Sequence, residues 1–418
     1  MNPTIKARIE SIRRGEVPEG YKRTKIGIVP NEWNVEPLKS HLIEYRHLSN
    51  DIDKYDIFSS SRNGLMLQST YYSQRNATQT NLGYKTVPNG YVTYRHMSDD
   101  DIFHFNINCQ NKTILVSAEY PVFNTDEQTN TYFLIAYLNS MARFRYFCRG
   151  QKMGGTRTRL YFNVLGDFKL AFPSISEQQK IAEILAGQDR VIALKEKLLA
   201  EKQKQKKYLM QQLLTGKKRL PGFSGEWKEG ELGDIVLECN DGSTPSRKND
   251  DFFNGDINWV VVEDIRPYIY STKEKLSKKG VESANLKVWK RGTVIISTCA
   301  SIGLVGILCC EAATKQGITA ILVNEDNSNE YVRFWLENEK SALLKFAQGS
   351  SIREIRSSIL LKLKIDYPCL QEQKAIVKIL LMADKEIELL KKDIGQEKLK
   401  KKSLMQLSLT GIVRVKDV

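Results

Sequence analysis

Histidines, cysteines and glycine-rich stretches are where this chain could carry catalysis, and their spacing argues against it. His41, His47, His96 and His104 all fall within the first 104 of 418 residues, none at metal-ligand spacing from another. The seven cysteines (Cys109, Cys148, Cys239, Cys299, Cys309, Cys310 and Cys369) give an odd count and no Cys-x-x-Cys pair. That is the pattern of neither a zinc site nor a disulfide framework. GLVGIL, from Gly303, lacks the lysine and hydroxyl of a phosphate-cradling loop. The Asn-Pro-Pro-aromatic tetrapeptide of an amino-methyltransferase is missing, and the scattered Asp and Glu single out no acid–base pair. The chain reads as one that binds and positions rather than reacts.

Charge suggests what it binds. Lys and Arg number 63 against 49 Asp and Glu, net +14, and hydrophobic residues make up 41%, a globular balance. Of the +14, +10 sits in residues 173–219 and 368–418, +6 in residues 1–172, and residues 220–367 are net −2. A polyanion partner fits the whole, yet bulk charge cannot make 220–367 a nucleic-acid binder. No run of 18 apolar residues occurs, and MNPTIKARIE lacks the apolar stretch of a secretion signal. The expectation is a soluble, cytoplasmic protein of two to four domains.

The two basic segments are copies of each other. PSISEQQKIAEIL (from Pro173) aligns with PCLQEQKAIVKIL (from Pro368) at an offset of 195, without a gap through Arg219 and Arg414; 19 of 47 positions are identical. Glu32-Trp33 and Leu38 are echoed by Glu226-Trp227 and Leu232. The chain is a tandem duplication of a variable block and a shared block. The shared block predicts a helix of roughly 35 residues, about 50 Å long, entered after a proline and closed by Gly216 or Gly411. Its 4,3,4,3 seam runs through Ile181, Leu185, Gln188, Ile192, Lys195 and Leu199, and through Ile376, Leu380, Ala383, Ile387, Leu390 and Ile394. That spacing marks helices wound on each other.

The variable blocks carry short β-branched and aromatic runs broken by turns, as in VPNGYVTYRHMSDDDIF and INWVVVEDI. A helix is predicted late in each, from Thr129 and from Asn329. The fold class is therefore α/β (α+β): two mixed globules with partly antiparallel sheets, and two long helices pairing as an antiparallel coiled coil about a pseudo-two-fold axis.

Five further motifs stand in order along the chain: YKRTKIGIVPNEW (from Tyr21), GGTRTRLYFNVLGDFKLAFPSISEQQKIAEIL (from Gly154), DGSTPSRKNDDFFNGDINWV (from Asp241), KRGTVIISTCASIG (from Lys290) and KQGITAI (from Lys315). With the repeat, they make the chain resemble the specificity (S) subunit of type I restriction–modification systems, and the resemblance rests on them. It implies an N-terminal arm (1–24), target-recognition domains at 25–172 and 221–367, and spacer helices at 173–220 and 368–418. Two departures stand out. Cys299 occupies the place of an arginine in the family's T-R-A-S-I-G motif, and Gly349-Ser350-Ser351-Ile352 replaces a second Gly-Gly-Thr-Arg tip, leaving only Arg157 and Arg159 in the first.

The resemblance implies double-stranded DNA, two modification (adenine-N6 methyltransferase) subunits and two restriction (ATP-dependent translocase and nuclease) subunits as partners. No cofactor is expected in this chain; S-adenosylmethionine, ATP and Mg would belong to the partners. Arginine reads guanine, and Asn or Gln reads adenine. The candidate readers are therefore Arg62, Asn63, Gln74, Arg75, Asn76, Tyr94, Arg95 and His96, with Arg157 and Arg159, in the first block. In the second they are Ser243, Thr244, Ser246, Arg247, Lys248, Lys315 and Gln316, beside Asp264 and Arg266. Trp33, Trp227 and Trp259 read as core. Lys202, Lys204, Lys206 and Lys207, with Lys398 and Lys400 to Lys402, form either a solvated face or a phosphate track. Ile181, Leu185, Ile192, Leu199, Ile376, Leu380, Ile387 and Ile394 are the helix positions expected to bind partners. The competing reading is a coiled-coil assembly scaffold without DNA readout, favoured by the net −2 of the second block.

Overall fold

The computed structural model describes residues 3–68, 83–152, 154–347 and 354–415. Two helices of 39 residues each, Ile175–Leu213 and Leu370–Ser408, dominate it. Residues past each end turn through Gly216 (φ +66°) and Gly411 (φ +71°), a left-handed conformation that glycine adopts without strain. The chain packs as two compact units, Met1–Leu194 with Ile394–Val418, and Lys195–Asp393. Each unit thus joins one variable block to half of each helix, cutting across the sequence segments.

Within each unit the helix halves run antiparallel. In the first, Gln188 donates to the Glu397 carboxylate at 2.7 Å and Lys401 pairs with Asp189. In the second, Lys195 meets Asp393, Lys202 meets Glu386 and Lys206 meets Asp384, each at 2.7 Å. Partner numbers fall as positions rise, from Glu177–Arg414 to Gln188–Glu397 in the first unit and from Lys195–Asp393 to Lys206–Asp384 in the second. The seam explains the pairing: Ile181, Leu185, Gln188, Ile192 and Ile394 are buried in the first unit, Ile376, Leu380 and Ile387 in the second, and Leu199 is half-buried. Burying such an apolar side chain contributes roughly 1.5–3 kcal/mol.

The first block is antiparallel throughout its described ladders. Strands Phe105–Ile107, Val92–Tyr94, Val122–Thr125 and Leu42–Glu44 form one sheet in that order; Ile114–Ser117, Tyr84–Val87 and Leu48–Ser49 form another. The second block mixes directions: Ile257–Val260 pairs parallel to Ala312–Thr314, and Tyr268–Ile269 parallel to Val305–Leu308. In both, the strand entering the block pairs with the strand leaving it, Asn34–Pro37 with Lys169–Phe172 and Lys228–Glu231 with Lys364–Tyr367. The frame repeats; the inserts do not.

Each late helix is two helices, Thr131–Ser140 then Ala142–Arg149, and Asn329–Asn338 then Lys340–Phe346. Met141 breaks the first in an extended conformation (ψ 128°) with its side chain in the core. Neither break carries a proline or glycine, so packing rather than local propensity makes it.

Candidate nucleic-acid interface

In the first unit a hairpin, Phe58–Ser61 paired with Gly64–Leu67, lifts Arg62 and Asn63 to its exposed tip. Met97–Ser98 pairs with Thr158–Arg159, which carries the Arg157–Arg159 segment alongside the turn Ser98–Asp101. Arg62 pairs with Asp100, and Arg157 Nε donates to Asp99 at 2.7 Å. Arg62, Asn63 and Arg95 line one groove of about 390 Å³ with Ser98 and Asp99. Segments nearly a hundred residues apart thus meet on one face. Sequence reading missed the Asp99–Asp100–Asp101 run as part of it, taking SDDD only as a turn; the acidic run beside YRH was the available signal.

Two candidates are corrected. Tyr94 is wholly buried, its hydroxyl donating to the Leu160 carbonyl at 3.0 Å, and burial pushes its phenol well above the ordinary range. It is core, packed with Phe105 and Phe123 at ring-centroid distances of 4.5 and 6.4 Å. His96 is also buried, lies over Tyr161 with ring centroids 5.7 Å apart, and has its pKa lowered by burial. It offers no cation to a phosphate. Arg95, between them, is exposed. Gln74, Arg75 and Asn76 lie outside the described residues.

In the second unit three sequence motifs converge. Gly242 N–H donates to the Ile318 carbonyl at 2.9 Å and Ser243 N–H to Thr314 at 3.1 Å, so the Ser243–Lys248 loop lies along the Lys315–Gln316 turn. A Cβ on Gly242 would stand 2.3 Å from the Thr314 and Lys315 carbonyl oxygens, an approach only glycine permits. Thr298 N–H donates to the Gly317 carbonyl at 2.8 Å, bringing Cys299 against the same turn. Ser243 and Thr244 are half-buried, while Ser246, Arg247, Lys248 and Gln316 are exposed. Arg247 lies 4.5 Å from the Phe253 ring centroid and 5.2 Å from that of Trp259, and pairs with Glu274 at 2.7 Å. The Lys315 ammonium stands 5.8 Å from the Trp259 ring, which is itself buried. Asp264 is corrected to a structural role: it is buried and accepts from Val261 N–H at 3.2 Å. The Gly349–Ile352 loop lies outside the described residues.

The helix positions expected to bind partners are instead consumed within the units. Ile181 and Leu185 sit in the core of the first, Ile376 and Leu380 in that of the second. The seam that is most apolar is the one the pair closes on itself. Exposed apolar side chains on the helices are others, including Ile184, Val191, Leu194 and Leu389. Lys202, Lys206 and Lys401 pair with carboxylates of the opposite helix, so they are not an open phosphate track. Among the described residues no His, Cys, Asp and Glu group could hold a metal, and no helix is long and apolar enough to cross a membrane.

Residues 51–203 and 224–397 match the family described as the type I restriction modification DNA specificity domain. A Methanocaldococcus jannaschii protein provisionally named the type I restriction enzyme MjaX specificity subunit is 25% identical over 95% of this chain and 97% of its own length. The MjaVIII specificity subunit of the same organism is 26% identical over 65% of this chain and 68% of its own. A solved chain of a type I R-M system, studied for its assembly and conformational transition, superposes with a TM-score of 0.60 at 18% identity, covering 92% of this chain and 99% of its own. The HsdS subunit from Thermoanaerobacter tengcongensis gives 0.51 at 19% identity, covering 92% and 98%. At such identity these two show the fold.

Proposed function

Because the chain belongs to the type I restriction–modification DNA specificity family, we propose that it reads an asymmetric, two-part site in double-stranded DNA, one part through each unit. The observation that carries this is the pair of unlike polar faces on like frames: Arg62, Asn63, Arg95 and Arg157 gathered in the first unit, Ser243, Arg247, Lys315 and Gln316 in the second. A repeated frame suits the two-fold character of duplex DNA, and unlike inserts make the two half-sites unlike. The long helices act as a ruler between half-sites.

Catalysis resides in the partners. Two modification subunits dock on the helices, the exposed Ile184, Val191, Leu194 and Leu389 supplying apolar contact, and flip an adenine in each half-site for N6 methylation. Two restriction subunits join them to translocate and cut. S-adenosylmethionine, ATP and Mg are held by those subunits, and the complex works in the cytoplasm.

The test is selection of a random duplex library on the purified chain at 0.15 M salt, followed by sequencing. Enrichment of two short unlike motifs at a constant gap supports the proposal. Retention without sequence enrichment supports the scaffold reading, which the net −2 of residues 220–367 favours.

A further inference from the structure

Resting on the reading of the first unit as a DNA reader, we propose that Asp99 and Asp100 are positioning residues that set Arg157 and Arg62 to read a G·C base pair rather than phosphates. The turn that carries them is anchored from both sides. Ser98 is buried; its hydroxyl donates to the Asp100 carboxylate at 2.9 Å and accepts from Ile102 N–H at 3.1 Å. Asp101 is held by the Thr158 hydroxyl, with Arg149 3.8 Å away. Onto this turn come two arginines from distant segments, Arg62 from a hairpin tip and Arg157 from the loop leading to the last strands of the block. Each takes a separate carboxylate.

The geometry leaves the reading edge open. Asp99 occupies Nε of Arg157, so the two terminal nitrogens remain for a bidentate contact with guanine O6 and N7. Asp100 takes one terminal nitrogen of Arg62, and the Arg62 hydrogen bond holds its carboxyl below the usual range, so it stays ionised. Three carboxylates in four residues repel a phosphate laid over Arg62 and Arg157. A base edge carries no formal charge and meets no such repulsion, so the clamped arginines favour guanine over a phosphate. The remaining cations of the face, Arg95 and Arg159, carry no such clamp among the described residues and are left for the backbone. Both ion pairs are largely exposed and contribute little to stability, so the fold does not need them.

The experiment uses the full chain and its Asp99→Asn, Asp100→Asn and Arg62→Ala variants, with the Asp100→Asn/Arg62→Ala double, on the selected duplex and on single-base changes of it. The expected result is a roughly tenfold loss of discrimination at one G·C pair of the first half-site in each aspartate variant. Affinity for unrelated duplex rises, thermal unfolding is unchanged, and Asp100→Asn adds nothing once Arg62 is alanine. Unchanged discrimination, or cognate and unrelated affinities falling together with the unfolding temperature, overturns the inference. A wild-type chain that selects no sequence overturns it together with the proposed function.

Discussion

Arg414 grips both oxygens of Glu177 through one edge of its guanidinium, Nε to Oε1 at 2.7 Å and Nη2 to Oε2 at 2.8 Å, across 237 residues of chain. The same contact recurs with the two repeats exchanged: Arg219, 195 positions before Arg414, holds Glu372, 195 positions after Glu177, at 2.7 Å twice. Each glutamate opens one helix and each arginine follows the other, so the end of one repeat closes the unit of its sibling. Gln178 and Gln373, next along, accept from the N–H groups of Asn130 and Ser328, the N-cap residues of the late helices.

These latches make a first prediction. Arg219→Met leaves the Glu372 carboxylate buried without its partner and destabilises the second unit by about 3 kcal/mol. Arg414→Met costs the first unit less, about 2 kcal/mol, because Trp33 Nε1 still donates to Glu177 at 3.2 Å. Hydrogen exchange under increasing urea assigns each loss to its unit; equal losses, or losses in the wrong unit, refute the account.

Glycines separate space from conformation. Gly242→Ala collides with backbone carbonyls and destabilises the second unit by about 2 kcal/mol, with loss of second half-site binding. Gly187→Ala and Gly395→Ala lie in the long helices with nothing within 4 Å of the added methyl. Each stabilises by roughly 0.5–1 kcal/mol through helix propensity. Urea midpoints read all three.

Acid acts on the first unit through His96 and His104. Burial lowers both pKa values below the ordinary histidine value, and both Nδ1 atoms are buried without a hydrogen-bond partner. The unfolded chain therefore takes up these protons at higher pH than the folded one, so their stabilising effect is full above about pH 6.5 and is lost as pH falls through the lowered values. The second unit contains no histidine. Unfolding at pH 7.5 and 5.5 is expected to show a drop in the first unit that the His96→Gln/His104→Gln double variant abolishes.

The ruler is tested by length. One heptad inserted after Lys197 and another after Lys392, positions 195 apart and opposite each other in the antiparallel pairing, keeps the seam in phase. It adds about 10 Å of helix, close to three base-pair steps of about 3.4 Å. Both half-sites stay the same and the gap between them grows by about three base pairs. An unchanged gap sinks the ruler and leaves DNA recognition standing.

Sequence by itself determined what is periodic or repeated. The 195-residue offset, the 3.5-residue seam and the closing glycines are local regularities, and they were enough to define two long helices and their antiparallel pairing. It also determined which arginines stand on turns, since turn chemistry is local too. Tertiary structure alone decided where the units divide, at Leu194–Lys195 and Asp393–Ile394 within the helices, because which helix half each variable block packs against is a long-range choice that the repeat does not record. It alone decided that Tyr94 faces inward and Arg95 outward, that the late helices break at Met141 and Glu339, and that Asp99 and Asp100 stand under Arg157 and Arg62. Those outcomes depend on side chains 58 and 38 residues apart meeting in space, and no pattern within a single segment records such a meeting.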